Sequence, residues 1–538
     1  MTTVLAYEEE PLLQDKKADP RARAIILGFE CLDSTASNGV TNNLVVYLQT
    51  VLHGSTASNA ASVMTLYGVS YFVPIVGAFI ADAYLGRYKT VLFSLVLYLT
   101  GTILATFSAF LIERQIICYA KPCDSTNGFN SILFFQLGLY LVAFGVGGIR
   151  SSLLPFGADQ FDDRNPRERE KQQQFFSWFY LCIDFGVISS GICIIWIQEY
   201  VSWALGFGIS TLCIAVAFCG FVLATPIFHL KVPQGSPLKS LFQVLVCSLK
   251  NVRLELPMNT SLLHEDVYKF SKLEHTDEFR FLDKAAILLD SEAEHSKKYP
   301  EVCTVTQVEE VKILFRLLPV WASGIAYSAA YSQMWTTFIQ QGTAMDTKFM
   351  SISIPSASLS TFEVLCVMAL VLIYNKLPKI AIEPTKLQRI GIGYFFMILT
   401  MAVAAFVEMR RLESVRNGDV ISIAWQLPQY FLIAGSEMFT YITQLEFFYD
   451  EAPDSMKSMC TSFSLLAISL GNYLSSFIVT LVTALTGTGG NSGWILDDLN
   501  RGHLDYFFWS LCCLSAVNFV AYVAFAKRYK LKRIIVEL

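Results

Sequence analysis

Apolar residues along this chain fall into twelve long runs separated by polar segments. The runs cover residues 24–49, 60–81, 89–111, 131–153, 175–197, 204–226, 313–335, 356–375, 390–409, 424–447, 462–484 and 505–526. Each reaches the roughly 20 residues that a helix needs to cross the hydrocarbon core of a bilayer. The pattern therefore predicts an all-α membrane protein of twelve transmembrane helices. Residues 1–23 are polar, acidic and then basic, so no signal peptide is expected ahead of the first run. The runs divide six and six around a polar segment at 227–312 that holds 11 Lys and Arg. The expected organisation is a tail (1–23), a six-helix bundle (24–226), a connector (227–312), a second six-helix bundle (313–526) and a C-terminal tail (527–538). Two such halves suggest a secondary transporter whose site lies near the midplane between them.

Loop charge sets the orientation. With the N-terminus in the cytosol, 31 of the 40 Lys and Arg fall in cytosolic segments and seven on the opposite side. The excess of Lys and Arg in cytosolic loops thus predicts that both termini are cytosolic. Composition agrees with a lipid environment. Of 538 residues, 54% are hydrophobic and only 16% charged, against roughly 25% charged in soluble proteins. This excludes a disordered chain and an ordinary soluble enzyme. A net charge of −5 offers no basic footprint for nucleic acid, so the expected partners are the bilayer, a small solute and protons. No metalloprotease or phosphate-binding signature is present, and no enzymatic activity, cofactor or metal is expected. Most of the 13 Cys sit in or beside the runs. Cys118 and Cys123 share the outer loop after the third run, as a disulfide or as two free thiols.

A charge at membrane depth costs at least about 2.5–3.5 kcal/mol and marks a candidate pathway. On the first run, Glu30, Asp33, Ser34, Ser37 and Thr41 recur at three- and four-residue spacing and form one polar stripe. Arg150 follows Gly147-Gly148-Ile149 on the fourth run, at a depth similar to Glu30. Its planar guanidinium suits an anionic group of a substrate or a pairing with Glu30; the alternative is an arginine reaching for the membrane edge. Glu437 lies near mid-depth on the tenth run, and Asp184, Arg316, Glu363 and Glu446 are further charges inside runs.

Four strings carry a resemblance. Gly77-Ala78-Phe79-Ile80-Ala81-Asp82-Ala83-Tyr84-Leu85-Gly86-Arg87-Tyr88 resembles the loop between helices two and three of the major facilitator superfamily. Phe156-Gly157-Ala158-Asp159-Gln160-Phe161-Asp162-Asp163 resembles the signature of the proton-coupled oligopeptide transporter family. Phe281-Leu282-Asp283-Lys284-Ala285-Ala286 and Val308-Glu309-Glu310-Val311-Lys312 resemble the plant branch of that family, the nitrate/peptide transporters, as do Trp494-Ile495 and Asp498-Leu499-Asn500.

The resemblance implies the major facilitator fold and alternating-access, proton-coupled transport of nitrate, a peptide or a small organic anion. An uncoupled uniporter, an efflux carrier and a non-transporting receptor are the alternatives. It implies that Glu30 and Asp33 stand in the family's Glu-x-x-Glu-Arg stretch, with the second acid shortened and the arginine replaced by Ser34. Arg150 falls where the family carries a cavity-facing base, and Glu437 where it carries a glutamate for substrate or gating. Asp82, Arg87 and Asp159 are implied as gating-loop charges. Asp184 stands where the family commonly has Asn; it is expected to act as a further proton-coupling acid opposite Arg150. Tyr331 occupies the position of a histidine in a plant nitrate transporter and is a candidate substrate contact. All six His lie outside the runs, so no histidine relay at the midplane is expected. Glu8-Glu9-Glu10-Pro11-Leu12-Leu13 has the form of an acidic dileucine signal for a sorting adaptor, which in a plant transporter would favour the vacuolar membrane; the equal alternative is an ordinary acidic tail, with the plasma membrane as the location.

Overall fold

The structure, a computed structural model, describes residues 20–118, 128–161, 166–230, 237–254, 263–264, 272–273, 275–287, 303–349, 352–376, 384–451, 457–487, 493–529 and 534–535. The disulfide candidate at Cys118 and Cys123 and the dileucine string fall outside the described side chains.

All twelve runs are helical. Among the described residues, ten helical segments are long and apolar enough to cross a membrane. The other two spans are interrupted, and both carry acids. Span one is Pro20–Thr41 followed by Leu44–Thr50. Span ten is Leu427–Glu437, a π turn at Met438–Ile442, and Thr443–Glu451. Spans two, three and four are Thr56–Ile80, Arg87–Cys118 and Gly128–Ala158. Span five runs from Pro166–Ser189 through a π turn at Ser190–Ile194 to Ile195–Tyr200, and span six is Trp203–Leu223. In the second half, spans seven, eight and nine are Val305–Tyr331, Leu359–Lys376 and Lys386–Arg416. Spans eleven and twelve are Lys457–Thr486 and Leu504–Ala526. Phe93, Phe107, Leu212, Phe477 and Val517 are each more than half exposed, as helices that are apolar all round require when lipid is the solvent.

Each half has its own core. Span four packs on spans two and three, and span one on spans five and six; span nine packs on ten and twelve, and span seven on eleven. Span two against eleven, and five against eight, join the halves. The Gly145-Val146-Gly147-Gly148 string is what lets span four approach so closely. A Cβ on Gly145 would lie 2.5–2.7 Å from the Cβ, Cα and N of Tyr98 on span three. Gly86, between spans two and three, has φ +79, a backbone conformation that glycine adopts freely.

The two connector strings meet. Lys312 is fully buried and reaches Asp283 at 2.7 Å and Glu309 at 2.8 Å. Its ammonium also donates to the Thr276 carbonyl at 2.6 Å, and Arg316 pairs with Glu309 at 3.3 Å. Arg316, counted above as a charge inside a run, thus belongs to this clasp. His275, Asp283 and Glu309 are close enough to share a metal ion, but the Lys312 ammonium lies between the two carboxylates. Behind the clasp, Val244, Cys247, Leu282, Cys303, Val308 and Val311 form a small core. Burial and the neighbouring Cys247 push the Cys303 thiol up to about 12.

Span nine is longer than its apolar pattern. The pattern ends near residue 409 and leaves Arg410, Arg411 and Arg416 in a loop, but the helix continues through Arg416. Arg411 is wholly buried. It donates twice to Glu408, once to Asn500 Oδ1 at 2.6 Å and once to the Leu499 carbonyl at 2.9 Å. A buried guanidinium satisfied this fully is compatible with a helix interior.

Candidate functional site

Between the halves lies a cavity of about 470 Å³ lined by Glu30, Asp33, Tyr71, Arg150, Phe179 and Leu445, among others. It extends to Ala81, Arg87 and Pro155, at the ends of spans two to four on the side that carries both termini. On the opposite side the halves are joined. The Thr56 amide donates to Asp497 Oδ1 at 2.8 Å, and Gln340 Nε2 to the Thr56 carbonyl at 2.9 Å. Ser358 Oγ donates to the Gly191 carbonyl at 2.7 Å, and the Thr65 and Ser476 hydroxyls lie 3.0 Å apart.

The helical spacing of span one places Glu30 and Asp33 on one wall, 8% and 4% exposed. Arg150 faces them from span four and acts electrostatically on both. Among the described residues neither acid is within ion-pair distance of its guanidinium, whose carbon sits 4.9 Å from the Tyr71 ring centroid. Asp33 Oδ1 is buried with no hydrogen-bond partner. Ser34, at the position of the family's arginine, turns to span five. Its Oγ donates to the Ile183 carbonyl at 2.8 Å, and a Cβ on Gly186 would come within 2.5 Å of Ser34 Cβ. Close helix packing thus occupies this position.

A second group forms on the facing half. Tyr331 Oη donates to Glu437 Oε2 at 2.6 Å. Glu363 on span eight is in hydrogen-bond contact with Glu437, and Asp184 acts on both from span five. Asp184 is therefore set against Glu437 and Glu363, not among the groups acting on Arg150. The two groups are linked through tyrosines. Tyr331 packs edge-on against Tyr441, with ring centroids 5.0 Å apart, and Tyr71 acts electrostatically on Tyr441. From the sequence, Glu363 is open between an outer gate and a plainly protonated acid. Its signal was available, an acid inside an apolar run, but its partner lies about seventy positions away.

The loop charges pair within the first half. Arg87 reaches Asp159 at 2.7 Å and donates to the Pro155 carbonyl at 3.3 Å; the Asp82 side chain lies outside the described residues. Gln160, from the same signature string, bonds the backbone of His229 in both directions, at 2.8 and 3.0 Å. Arg23 lies over the Phe161 ring at 4.0 Å and pairs with Glu168. The hydrogen bond from Lys171, with the Arg23 charge, holds the Glu168 carboxyl below the usual carboxylate range. Glu446 pairs with Lys386 at 3.1 Å and does not line the cavity.

Comparison with known proteins places this geometry. A sequence model of the POT family matches residues 88–495. Protein NRT1/PTR FAMILY 8.3 of Arabidopsis thaliana is 42% identical over 98% of this chain and 94% of its own length. NRT1/PTR FAMILY 8.5 of the same plant is 42% identical over 97% of this chain and 92% of its own. An auto-inhibited POT family peptide transporter has the same fold, with a TM-score of 0.73 at 20% identity over 95% of this chain and 98% of that one. A POT family transporter in complex with 5-aminolevulinic acid gives 0.67 at 14% identity over 95% and 97%.

Proposed function

Because the chain belongs to the POT family, and is a multi-pass membrane protein that couples small-solute transport to protons, we propose that its cargo is a small zwitterion of the dipeptide class. The observation that carries this reading is the polarity of the site. Arg150 of the first half lines the cavity, and Glu437 of the second half, which accepts from Tyr331, is linked to it through Tyr441 and the cavity residue Tyr71. A dipeptide carries one carboxylate and one ammonium, which match these in sign and in placement on opposite halves. The cavity volume of about 470 Å³ falls within the roughly 300–1,000 Å³ of small-ligand sites. Solved relatives described as peptide transporters, and one binding 5-aminolevulinic acid, accord with a ligand carrying both charges.

In this reading Glu30 and Asp33 take up protons beside Arg150, which supplies the cation that Ser34 does not. Asp184 and Tyr331 tune the acid wall around Glu437. The bundles at 24–226 and 313–526 rock about the site, with Arg87 and Asp159 bracing the gate end of the first. The Lys and Arg excess places both termini in the cytosol, so the cavity faces inward, in a vacuolar or plasma membrane.

The test is uptake by the purified full chain in liposomes, at two pH values, of dialanine, nitrate and a monocarboxylate. Dialanine is expected to be carried. A charge-assisted hydrogen bond contributes about 1.5–3 kcal/mol, so Arg150→Ala and Glu437→Gln should each raise the dialanine KM about 10–100-fold. Unchanged dialanine kinetics in Arg150→Ala, or transport of nitrate alone, would overturn the reading.

A further inference from the structure

Span eight carries an acid, Glu363, with no ion-pair partner among the described residues. Glu363 is 1% exposed, and its Oε1 has no hydrogen-bond partner. Its carboxyl contacts that of Glu437 across spans eight and ten. The groups that face the pair are acidic or neutral: Asp184 from span five, Tyr327 and Tyr331 from span seven, Tyr430 and Tyr441 from span ten and Cys366 from span eight itself. No Lys, Arg or His among the described residues lies within ion-pair distance of Glu363. Two carboxyl groups in contact do not both ionise, because each charge opposes the other. One proton between them converts the repulsion into an O–H···O⁻ hydrogen bond, which is short and strong. Glu437 Oε2 already accepts from Tyr331, so a donor from Glu363 completes the solvation of a single negative charge on Glu437.

We infer that Glu363 and Glu437 form a proton-binding site of their own in the second bundle, separate from the Glu30–Asp33–Arg150 group. The proton rests on Glu363 and bonds to Glu437, which keeps one negative charge facing the cargo. With the proton lost, the pair carries two charges and, among the described residues, no cation lies within ion-pair distance to neutralise the second. Proton occupancy here therefore decides the charge that a substrate ammonium meets, and this proton moves in step with the cargo. The transport consequence rests on the dipeptide reading above; the protonation itself does not.

Two measurements on the full chain test this separately. The first needs no substrate. At neutral pH, the infrared carboxylic-acid band that shifts in D2O is expected to lose one component in Glu363→Gln. An unchanged band overturns the inference. The second compares dialanine counterflow without a gradient with accumulation driven by a proton gradient. Glutamine still donates to Glu437 but does not titrate. Counterflow in Glu363→Gln should stay within about threefold of the parent, while gradient-driven accumulation falls at least tenfold. Glu363→Asp, which still titrates, should retain accumulation. Parent-like accumulation in Glu363→Gln, equal loss in both variants, or loss of counterflow in Glu363→Gln overturns the proposed role. A parent protein that exchanges no dialanine refutes the dipeptide reading, and the infrared band still decides the proton site.

Discussion

At the scale of single residues, this protein keeps its membrane-depth charges in small, closed groups, and the groups differ in kind. Lys312 is a structural cation. It is fully buried and satisfied by two carboxylates and a carbonyl. Lys312→Met removes it and leaves Asp283 and Glu309 to face each other. Removing one partner of a buried pair costs about 3–5 kcal/mol, so the melting temperature of the variant in detergent should fall markedly. A melt equal to the parent would show that the clasp adds nothing to stability. Arg150 is the opposite case. It lines the cavity, lies beside Tyr71 and has acids near it but none in contact. In the proposed dipeptide reading, this leaves the cation available for a ligand. Ser34, next to Asp33, is a packing residue: its side chain is committed to span five.

At the scale of elements, irregularity gathers where the acids are. Span ten passes into a π turn directly after Glu437, and span five has one six residues after Asp184. π turns are rare and occur often at functional sites. A third π turn, Ala81–Leu85, ends span two, and between spans three and four glycine sets the closeness of packing. Gly145 lies against the Tyr98 backbone, so Gly145→Val must force spans three and four apart. Overpacking of this sort costs about 1–3 kcal/mol, and it should appear as a lower melting temperature with the dialanine KM unchanged in the surviving protein. A selective rise in KM would instead tie this packing to the site. The same string was legible in the sequence as a helix-packing signal. Its partner, Tyr98, was not, since nothing in one chain's pattern says which span lies alongside.

At the scale of the molecule, the two halves touch on the side away from the termini and part around the cavity. Asp497 is a candidate latch, because it accepts from the backbone amide of Thr56 across the interface. A hydrogen bond to a charged group is worth about 1.5–3 kcal/mol, so Asp497→Ala should shift the balance toward the alternative state about tenfold or more. Labelling by an impermeant maleimide of a cysteine placed at Ser476, beside Thr65, should rise accordingly relative to the same cysteine with Asp497 intact. Equal labelling would remove Asp497 from the closure.

The resemblance of the chain's motifs implied the fold, and the sequence by itself determined the twelve apolar runs and the charges inside them. These follow from local facts: an apolar run of fixed length must be a helix in lipid, and a charge within it must have a reason. It placed Glu30 and Asp33 on one face because the helical period alone decides that. The tertiary structure decided every partnership. It joined the two connector strings through Lys312, buried Arg411 in a helix that outruns its apolar pattern, and set Asp184 against Glu437 instead of Arg150. It also brought Glu363 against Glu437. Such contacts depend on which helix faces lie together across the bundle, and that arrangement is set by the packing of the whole chain rather than by any segment of it.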